Sequence, residues 1–222
     1  MKAIIYSFIC LFLFLNTANA GVVIGGTRII YDEGKKDVSI SVENPDNIPY
    51  LIQSWIDDIS EKKQSSFTIT PPLFRLNSSN TNALRIFLTE NNLPSDRESL
   101  FWLNIKTIPA TEKTENSLQI AFKTQMKLIF RPKELKSVNF IEEQKKLEWS
   151  KVGNKINVKN PTPYFFNFQT VKFNNKSVND VSYVAPYSVK SFEINNDEIH
   201  GVINWEVIND YGAVTDLSEI KI

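Results

Sequence analysis

The stretch LQIAFKTQMKLIF, residues 118–130, alternates apolar and polar side chains along its whole length. Successive side chains of a β-strand point to opposite faces, so this alternation predicts one strand with an apolar face and a polar face. At about 3.3 Å per residue the strand would be roughly 40 Å long, about twice the usual length. One small domain cannot cover such a face, so we expect part of it to be exposed at a sheet edge that pairs with another chain. The alternative is a core strand that is buried throughout.

Short strands are also predicted on the N-terminal side of this stretch. They alternate or are rich in β-branched and aromatic residues, and turn clusters such as Asn44-Pro45-Asp46-Asn47 separate them. Pro71-Pro72 predicts an edge or a bend, because proline donates no hydrogen bond to a sheet. The predicted strands are 22–31, 38–42, 49–57, 67–70, 83–88 and 100–108. With residues 118–130 they make about seven strands in roughly 110 residues, which is typical of an immunoglobulin-like sandwich.

The chain changes character at residues 132–146, PKELKSVNFIEEQKK, which are charged, lack alternation and begin with proline. This segment predicts a linker or a short helical elbow between two domains. The strands predicted after it are 155–159, 164–173, 189–194, 202–208 and 214–222. The sequence therefore predicts an all-β chain of two domains, residues 21–135 and 136–222.

Residues 1–20 have the three parts of a secretory signal peptide. Met1-Lys2-Ala3 is a short positive start, residues 4–15 are apolar, and Ala18-Asn19-Ala20 matches a cleavage site. The alternative is a transmembrane anchor, which needs roughly 20 apolar residues and is therefore disfavoured. We expect export and cleavage near Ala20, which would also remove Cys10, the one cysteine of the chain.

The composition excludes several classes of function. The 222 residues include 25 Lys+Arg and 25 Asp+Glu, so the net charge of zero provides no basic surface for nucleic acid. One histidine and one cysteine cannot form a His/Cys zinc cluster. The sequence has no G-x-S-x-G motif and no glycine-rich nucleotide motif, and His200 lies in a polar predicted turn. We expect a non-enzymatic protein without catalytic residues, cofactor or metal; activity on generic esters or glycosides would instead indicate a periplasmic hydrolase.

A family resemblance is carried by residues 93–110, LPSDRESLFWLNIKTIPA. This order resembles the signature of the periplasmic pilus-assembly chaperones of the chaperone–usher pathway. Further stretches resemble other parts of the same family: GTR at 26–28, PYLIQSW at 49–55, NPTPY at 160–164 and NDYG at 209–212. The resemblance covers essentially the whole chain after residue 20.

The resemblance implies two immunoglobulin-like domains arranged as an L or boomerang, in the periplasm of a Gram-negative bacterium. It implies binding of pilus or fimbrial subunits, whose immunoglobulin-like fold lacks its last strand. The chaperone lends a long strand, expected here at residues 117–130, and passes the subunit to an outer-membrane usher. Neither nucleic-acid binding nor membrane insertion is expected, whereas self-association through the exposed strand is expected when no subunit is bound. The short connection 109–117 resembles that of chaperones for rod-type pili.

Five residues are implicated in subunit binding by the resemblance. Arg28 and Lys127 match two cations that anchor the C-terminal carboxylate of the subunit, and such charge-assisted bonds would fix its register. Leu118, Ile120 and Phe122 match the apolar row that fills the groove of the subunit. Strict alternation places Lys127 on the face opposite Phe122. A twist, a bulge or the wrapping of the subunit's end would let both reach one subunit.

Three further charges are expected to be structural. Glu98, Arg131 and Asp210 match positions that the family places at the interface between the domains. The alternative is three solvated surface charges, since an exposed pair contributes only about 0–1 kcal/mol. Composition alone would favour the same solvated state for Arg28 and Lys127.

A second class of function stays open at this point, namely an exported immunoglobulin-like adhesin or ligand-binding module without chaperone activity. Such a module has no need for an exposed apolar row beside two cations. The exposure of residues 118–130 therefore distinguishes the two functions.

Overall fold

The computed structural model describes residues 21–59, 66–90, 92–110, 118–135, 139–194, 198 and 200–222. The predicted signal peptide lies outside the described residues, and so does most of the connection 109–117. Within the described residues the chain consists of strands and loops with one short helix, which confirms the all-β prediction. None of the described residues forms a helix that is long and apolar enough to cross a membrane.

The first domain is a sandwich of two sheets. In the described part of the chain, one sheet has the strand order β1-β3-β7-β5 and the other has the order β2-β9-β8-β4-β6. Neighbouring strands are antiparallel except for β2 and β9, which are parallel. The strands are β1 (Val23–Ile24), β2 (Arg28–Asp32), β3 (Val38–Glu43), β4 (Tyr50–Asp58), β5 (Phe67–Thr70), β6 (Leu73–Leu76), β7 (Thr81–Leu88), β8 (Ser99–Pro109) and β9 (Phe122–Arg131).

The alternation of the strands builds the core between these two sheets. β3 reads VSISVE and buries Ile40 and Val42, while Glu43 and the serines are exposed. The predicted bend at Pro71-Pro72 is confirmed, because β5 ends before the prolines in one sheet and β6 follows them in the other. The prolines thus lie where the chain crosses between the layers and where no ladder donor is needed.

The second domain is a smaller sandwich that follows a short helix. Helix α1 (Phe140–Gln144) is capped by Asn139, whose side chain accepts a hydrogen bond from the N–H of Ile141 at 3.1 Å. This helix is the predicted elbow. The sheets have the orders β10-β11-β15 and β13-β12-β16-β17, and β14 also pairs with β12. The strands are β10 (Glu148–Val152), β11 (Lys155–Asn160), β12 (Phe166–Phe173), β13 (Lys176–Ser177), β14 (Tyr183–Val184), β15 (Ser188–Glu193), β16 (Val202–Ile208) and β17 (Ser218–Lys221).

The strand prediction for the second domain was incomplete. β10 was not predicted, because Trp149 is its one buried side chain and gives no alternating run. β13 and β14 have two residues each, which is too short for any period to be visible. The last predicted strand began too early, since Val214 forms an isolated bridge and β17 begins at Ser218.

Two buried asparagines hold turns that correspond between the domains. Asn44 follows β3 and Asn160 ends β11, and a proline follows each of them. Nδ2 of Asn160 donates to the carbonyl oxygens of Tyr164 at 2.7 Å and Ala185 at 2.9 Å. Oδ1 of Asn160 accepts hydrogen bonds from the backbone N–H and the hydroxyl of Thr162. The side chain thus supplies the turn with hydrogen bonds that proline cannot make.

Asn160→Ala should lower the free energy of unfolding by roughly 2–4 kcal/mol, because it leaves two carbonyl groups without their donor. Unfolding in guanidinium chloride, followed by circular dichroism, measures this change. Asn82→Ala is the control, since Asn82 is exposed on β7 and its loss should have little effect. Equal stability of the Asn160→Ala variant and the wild type would contradict the structural role of this amide.

Candidate functional site

β9 is exposed in its first half and buried in its second half. Phe122–Gln125 is exposed, whereas Met126, Leu128 and Phe130 are buried in the core of the first domain. The prediction of a strand from residue 118 was wrong at its start, because the strand begins at Phe122, and residue 117 lies outside the described residues. Its ladder with β8 ends at that residue, and residues 118–121 have no neighbouring strand in the described structure to pair with.

The predicted apolar row begins in the segment just before β9 and ends at Phe122, the first residue of β9. Leu118, Ile120 and Phe122 have exposed fractions of 86%, 52% and 62%. Phe122 shares its face of the strand with the buried Met126 and Leu128, so the row continues the core face beyond the domain's own core. The alternative of a strand that is buried throughout was therefore wrong. Such a row is typical of a surface that another chain covers.

The exposed half of β9 also has an open hydrogen-bonding edge. β8 pairs with β9 from Phe122 to Phe130, but β2 pairs with it only from Lys127 to Arg131. Within the described ranges, no strand covers the second edge of residues 122–126. An open edge beside exposed apolar side chains is the arrangement that an additional strand can complete.

Ile120→Asp should leave the melting temperature of the free protein nearly unchanged, because this side chain is exposed before any partner binds. Leu128→Asp is the matched control on the same strand, where the introduced carboxylate would be buried without a partner and should unfold the domain. Thermal melts followed by circular dichroism compare the two variants. A large drop in melting temperature for Ile120→Asp would show that the row belongs to the chain's own core.

Arg28 and Lys127 lie where the doubly paired part of β9 begins. They are Cα partners in the parallel ladder of β2 and β9, so their side chains share one face of the sheet. Nη1 of Arg28 donates to the carbonyl oxygen of Ile208 at 3.0 Å, and Nζ of Lys127 lies 5.2 Å from the centre of the Tyr183 ring. Both contacts are with the second domain. Among the described residues, neither cation forms a salt bridge.

The surroundings of both cations disfavour their charge. Burial lowers the pKa of Arg28, and the nearby Asp210 carboxylate opposes this effect. Burial, and then repulsion by Arg28, lowers the pKa of Lys127 to about 8. Nε of Arg28 is buried without a hydrogen-bond partner in the described structure. A carboxylate placed here would supply both a counter-charge and acceptors, so the pair is suited to bind an anion.

Lys127→Met should unfold at the same temperature as the wild type or at a higher one at pH 7, because it removes a charge that the fold disfavours. The pKa of Lys127 is about 8 in the folded chain and 10.5 as the reference value, so the unfolded chain binds more protons between these pH values. The wild type should therefore gain stability as the pH rises from about 8 to 10, and Lys127→Met should lack this gain. Thermal melts at pH 7 and pH 9.5 measure both effects. A lower melting temperature of Lys127→Met at pH 7 would show that the lysine is structural.

Lys127 and the apolar row lie on opposite faces of β9, as the alternation predicts. Ile129, two residues further along the face of Lys127, packs with Leu100 and with Phe165 of the second domain. Phe122 lies on the other face, toward the core of the first domain. The ladders of β9 are regular, so no bulge reverses this order. The polar face of β9 therefore faces the second domain, and the cations lie between the two domains.

The three predicted interface charges form one ion cluster. Nε of Arg131 donates to Oε1 of Glu98 at 2.8 Å, and its Nη1 donates to Oδ2 of Asp210 at 2.6 Å. Oε2 of Glu98 accepts a hydrogen bond from the N–H of Phe165 at 2.7 Å. Burial raises the pKa of the Glu98 carboxyl, and the Arg131 guanidinium opposes that rise. Because Asp210 and Phe165 belong to the second domain, the cluster joins the two domains beside the cations.

Two of the sequence stretches that carry the family resemblance touch each other at this place. Gly212, in the turn after β16, has φ +81°, which is a backbone conformation that favours glycine. A Cβ atom at this position would lie 2.6 Å from Oγ1 of Thr27, the residue before Arg28. The stretches at 26–28 and 209–212 therefore pack too closely for a side chain at position 212, and their contact helps to place Arg28 next to the second domain.

We call the space between the two domains at Arg28 and Lys127 the cleft. The contribution of the second domain to this cleft was not predicted. Tyr183 contributes a ring, Ile208 contributes a backbone carbonyl, and Asn167 is their common neighbour in the sheet. These groups carry no sequence signal, because only the pairing of β12 with β14 and β16 brings them together. Among the described residues, no group of three or more His, Cys, Asp or Glu could hold a metal ion.

The comparisons with known proteins identify the family. A family model described as the PapD N-terminal domain of pili and flagellar-assembly chaperones matches residues 21–136. A second model, the C-terminal domain of the pili assembly chaperone PapD, matches residues 142–219. The two matches together cover most of the chain, which therefore belongs to the family of pili assembly chaperones.

Individual relatives agree with this assignment. The chain is 40% identical over 219 residues to the chaperone protein FocC of Escherichia coli, covering 96% of this chain and 95% of that protein. It is 38% identical over 203 residues to the chaperone protein FimC of Escherichia coli strain K12, covering 89% and 83%. A solved structure of the Salmonella enterica SafA pilin in complex with the SafB chaperone gives a TM-score of 0.85 at 33% identity, covering 93% and 99%. The predicted family and the fold of two immunoglobulin-like domains are confirmed.

Proposed function

We propose that the chain is a periplasmic chaperone that holds pilus or fimbrial subunits by lending them residues 118–126 as a missing strand. The observation that carries this proposal is at the start of β9, where the exposed apolar row of residues 118–122 leads into the open edge of residues 122–126. A subunit that lacks a strand exposes the complementary features, namely an apolar groove and unpaired strand edges. The solved complex of a related chaperone with a pilin supports the same function.

The apolar row supplies affinity. Burying Leu118, Ile120 and Phe122 in the groove contributes roughly 5–9 kcal/mol before the costs of ordering, at about 1.5–3 kcal/mol for each side chain. The row is already present in the free chain, and no core residue of the first domain needs to leave its place. The folded chaperone can therefore insert these side chains into the subunit without disrupting its own core.

Arg28 and Lys127 set the register of binding by holding the C-terminal carboxylate of the subunit. A strand added along the open edge of residues 122–126 lies in line with β2, and it meets β2 at Arg28. Since β2 is parallel to β9, a subunit strand that is also parallel to β9 ends at Arg28 with its carboxylate. An antiparallel strand would bring an amino group or a chain continuation to the two cations. The anchor therefore favours a parallel strand.

The same geometry accounts for the opposite faces of Lys127 and Phe122. The groove of the subunit takes up the apolar row, and a strand of the subunit pairs with the backbone of residues 122–126. Only the terminal carboxylate of that strand reaches the cations. A carboxylate at the end of a strand is not restricted to one face of the sheet. Neither a bulge nor a reversal of β9 is needed.

Three further parts of the proposal concern the setting of the protein. We place the chain in the periplasm after removal of residues 1–20, and we divide it into domains at residues 21–135 and 136–222. An outer-membrane usher receives the subunit from the complex, and the unoccupied strand favours self-association. Glu98, Arg131 and Asp210 hold the domains together and take no part in chemistry, and the proposed function requires no cofactor.

Purification of the tagged protein from the periplasm of its host, followed by mass spectrometry, tests this function. Wild-type protein should retain pilus or fimbrial subunits, whereas Arg28→Ala and Lys127→Ala should stay folded and lose most of them. Lys159→Ala is the control, since Lys159 is an exposed lysine that pairs with Glu148 away from the cleft. Subunit recovery at the wild-type level from both cleft variants would contradict the carboxylate anchor. The absence of any subunit from the wild-type preparation would contradict the chaperone function itself.

A further inference from the structure

Asn167 of β12 lies between the two contacts that the cations make with the second domain. Its Cα partners across the sheet are Tyr183 and Ile208. Lys127 lies over the ring of Tyr183, and Arg28 donates to the carbonyl oxygen of Ile208. In the second domain, Asn167 therefore lies between the two residues that the cations contact.

The side chain of Asn167 points toward the first domain. Its neighbours Phe166 and Phe168 are buried in the core of the second domain. Side chains alternate along a strand, so Asn167 shares the opposite face with Phe165, which packs against Ile129 of the first domain. The amide of Asn167 thus belongs to the wall of the cleft and not to the core of its own domain.

Two buried polar atoms of the cleft have no hydrogen-bond partner among the residues that the structure describes. Within the described part of the chain, Oδ1 of Asn167 and Nε of Arg28 are both buried and unpaired. Asn167 itself is only 2% exposed. Buried polar groups are nearly always paired, because an unpaired group loses its hydration without compensation. One of these atoms is an acceptor and the other is a donor, and both belong to side chains beside the proposed carboxylate position.

We propose that Asn167 is a third binding group for the terminal carboxylate of the subunit, together with Arg28 and Lys127. When the carboxylate binds, Oδ1 of Asn167 accepts a hydrogen bond from Nε–H of Arg28 and orients the guanidinium. Nδ2 of the same amide donates to a carboxylate oxygen. An amide can do both at once, since it carries one acceptor oxygen and two N–H donors. This inference rests on the proposed carboxylate anchor and extends it.

An uncharged amide is well suited to this position. An aspartate here would place a carboxylate of the chaperone itself between Arg28 and Lys127, and the subunit would have to displace it. An alanine would remove one donor but leave both cations free. The two substitutions therefore weaken binding for different reasons. If the side chain at position 167 is directed at the cations, the aspartate raises the pKa of Lys127 and the alanine does not.

The test uses acetate as a free carboxylate and follows the NMR signals of Nε–H of Arg28 and Cε of Lys127 at constant ionic strength. Wild-type protein should show saturable shifts, and Asn167→Ala should bind acetate roughly tenfold more weakly. Asn167→Asp should show no saturable shift, and it should raise the pKa of Lys127 from about 8 toward 10.5. Asn204→Ala is the matched control, because Asn204 is also buried but bonds Glu219 on the neighbouring strands, and this variant should respond like the wild type.

The outcomes separate this inference from the proposed function. Unchanged acetate affinity in Asn167→Ala, with affinity lost in Arg28→Ala and Lys127→Ala, would overturn the role of Asn167 and leave the anchor intact. Unchanged affinity in all three variants, or no saturable shift in the wild type, would overturn both. If Asn167→Ala proves unfolded by circular dichroism, the nearly isosteric Asn167→Asp decides, and an unchanged pKa of Lys127 in that variant would overturn the proposal.

Discussion

The point at which β2 begins to pair with β9 sets which part of β9 keeps an open edge. β2 starts at Arg28, opposite Lys127, and covers β9 only from there onward. From Lys127 to Arg131, β9 is paired on both edges and mostly buried. Before Lys127 one edge is open, and the apolar row is exposed. The same point brings two cations together. A longer β2 would close the edge, and a shorter one would move the proposed carboxylate anchor away from it.

The second constraint is the fixed relation between the two domains. The cations are partly buried because the second domain lies against them, with the ring of Tyr183 and the carbonyl of Ile208 in contact. The ion cluster around Arg131 holds this arrangement with hydrogen bonds from both domains. A buried ion cluster gains little net stability, because desolvation of the charges offsets their attraction. Its value lies in position, since the bonds of Arg131 to Asp210 and of Phe165 to Glu98 form only when both domains are in place.

The sequence predicted the features that a single segment or a family motif carries. The alternation of residues 118–130 predicted an exposed apolar row, and Ile120 is indeed half exposed. The resemblance to the family motifs indicated Arg28 and Lys127 as a pair, and the parallel ladder brings them together.

Features that depend on contacts between distant segments could not be predicted. The strand begins at Phe122 because its ladder with β8 ends there, and no pattern within residues 118–130 marks that end. Asn167 looks like any polar residue of a strand until the pairing of β12 places it beside the cations. Alternation predicted that Lys127 and Phe122 lie on opposite faces, but it did not indicate how one subunit strand would reach both. In the proposed complex the position of β2 provides that route, because a strand in line with β2 would end at Arg28.

The central claim is that a subunit strand extends the line of β2 and runs parallel to β9, with its carboxylate at the two cations. A crystal structure of the chaperone with a co-purified subunit measures this most directly. We predict a parallel strand along residues 122–126 and a terminal carboxylate within hydrogen-bond distance of Arg28 and Lys127. An antiparallel strand, or a carboxylate bound elsewhere, would contradict it.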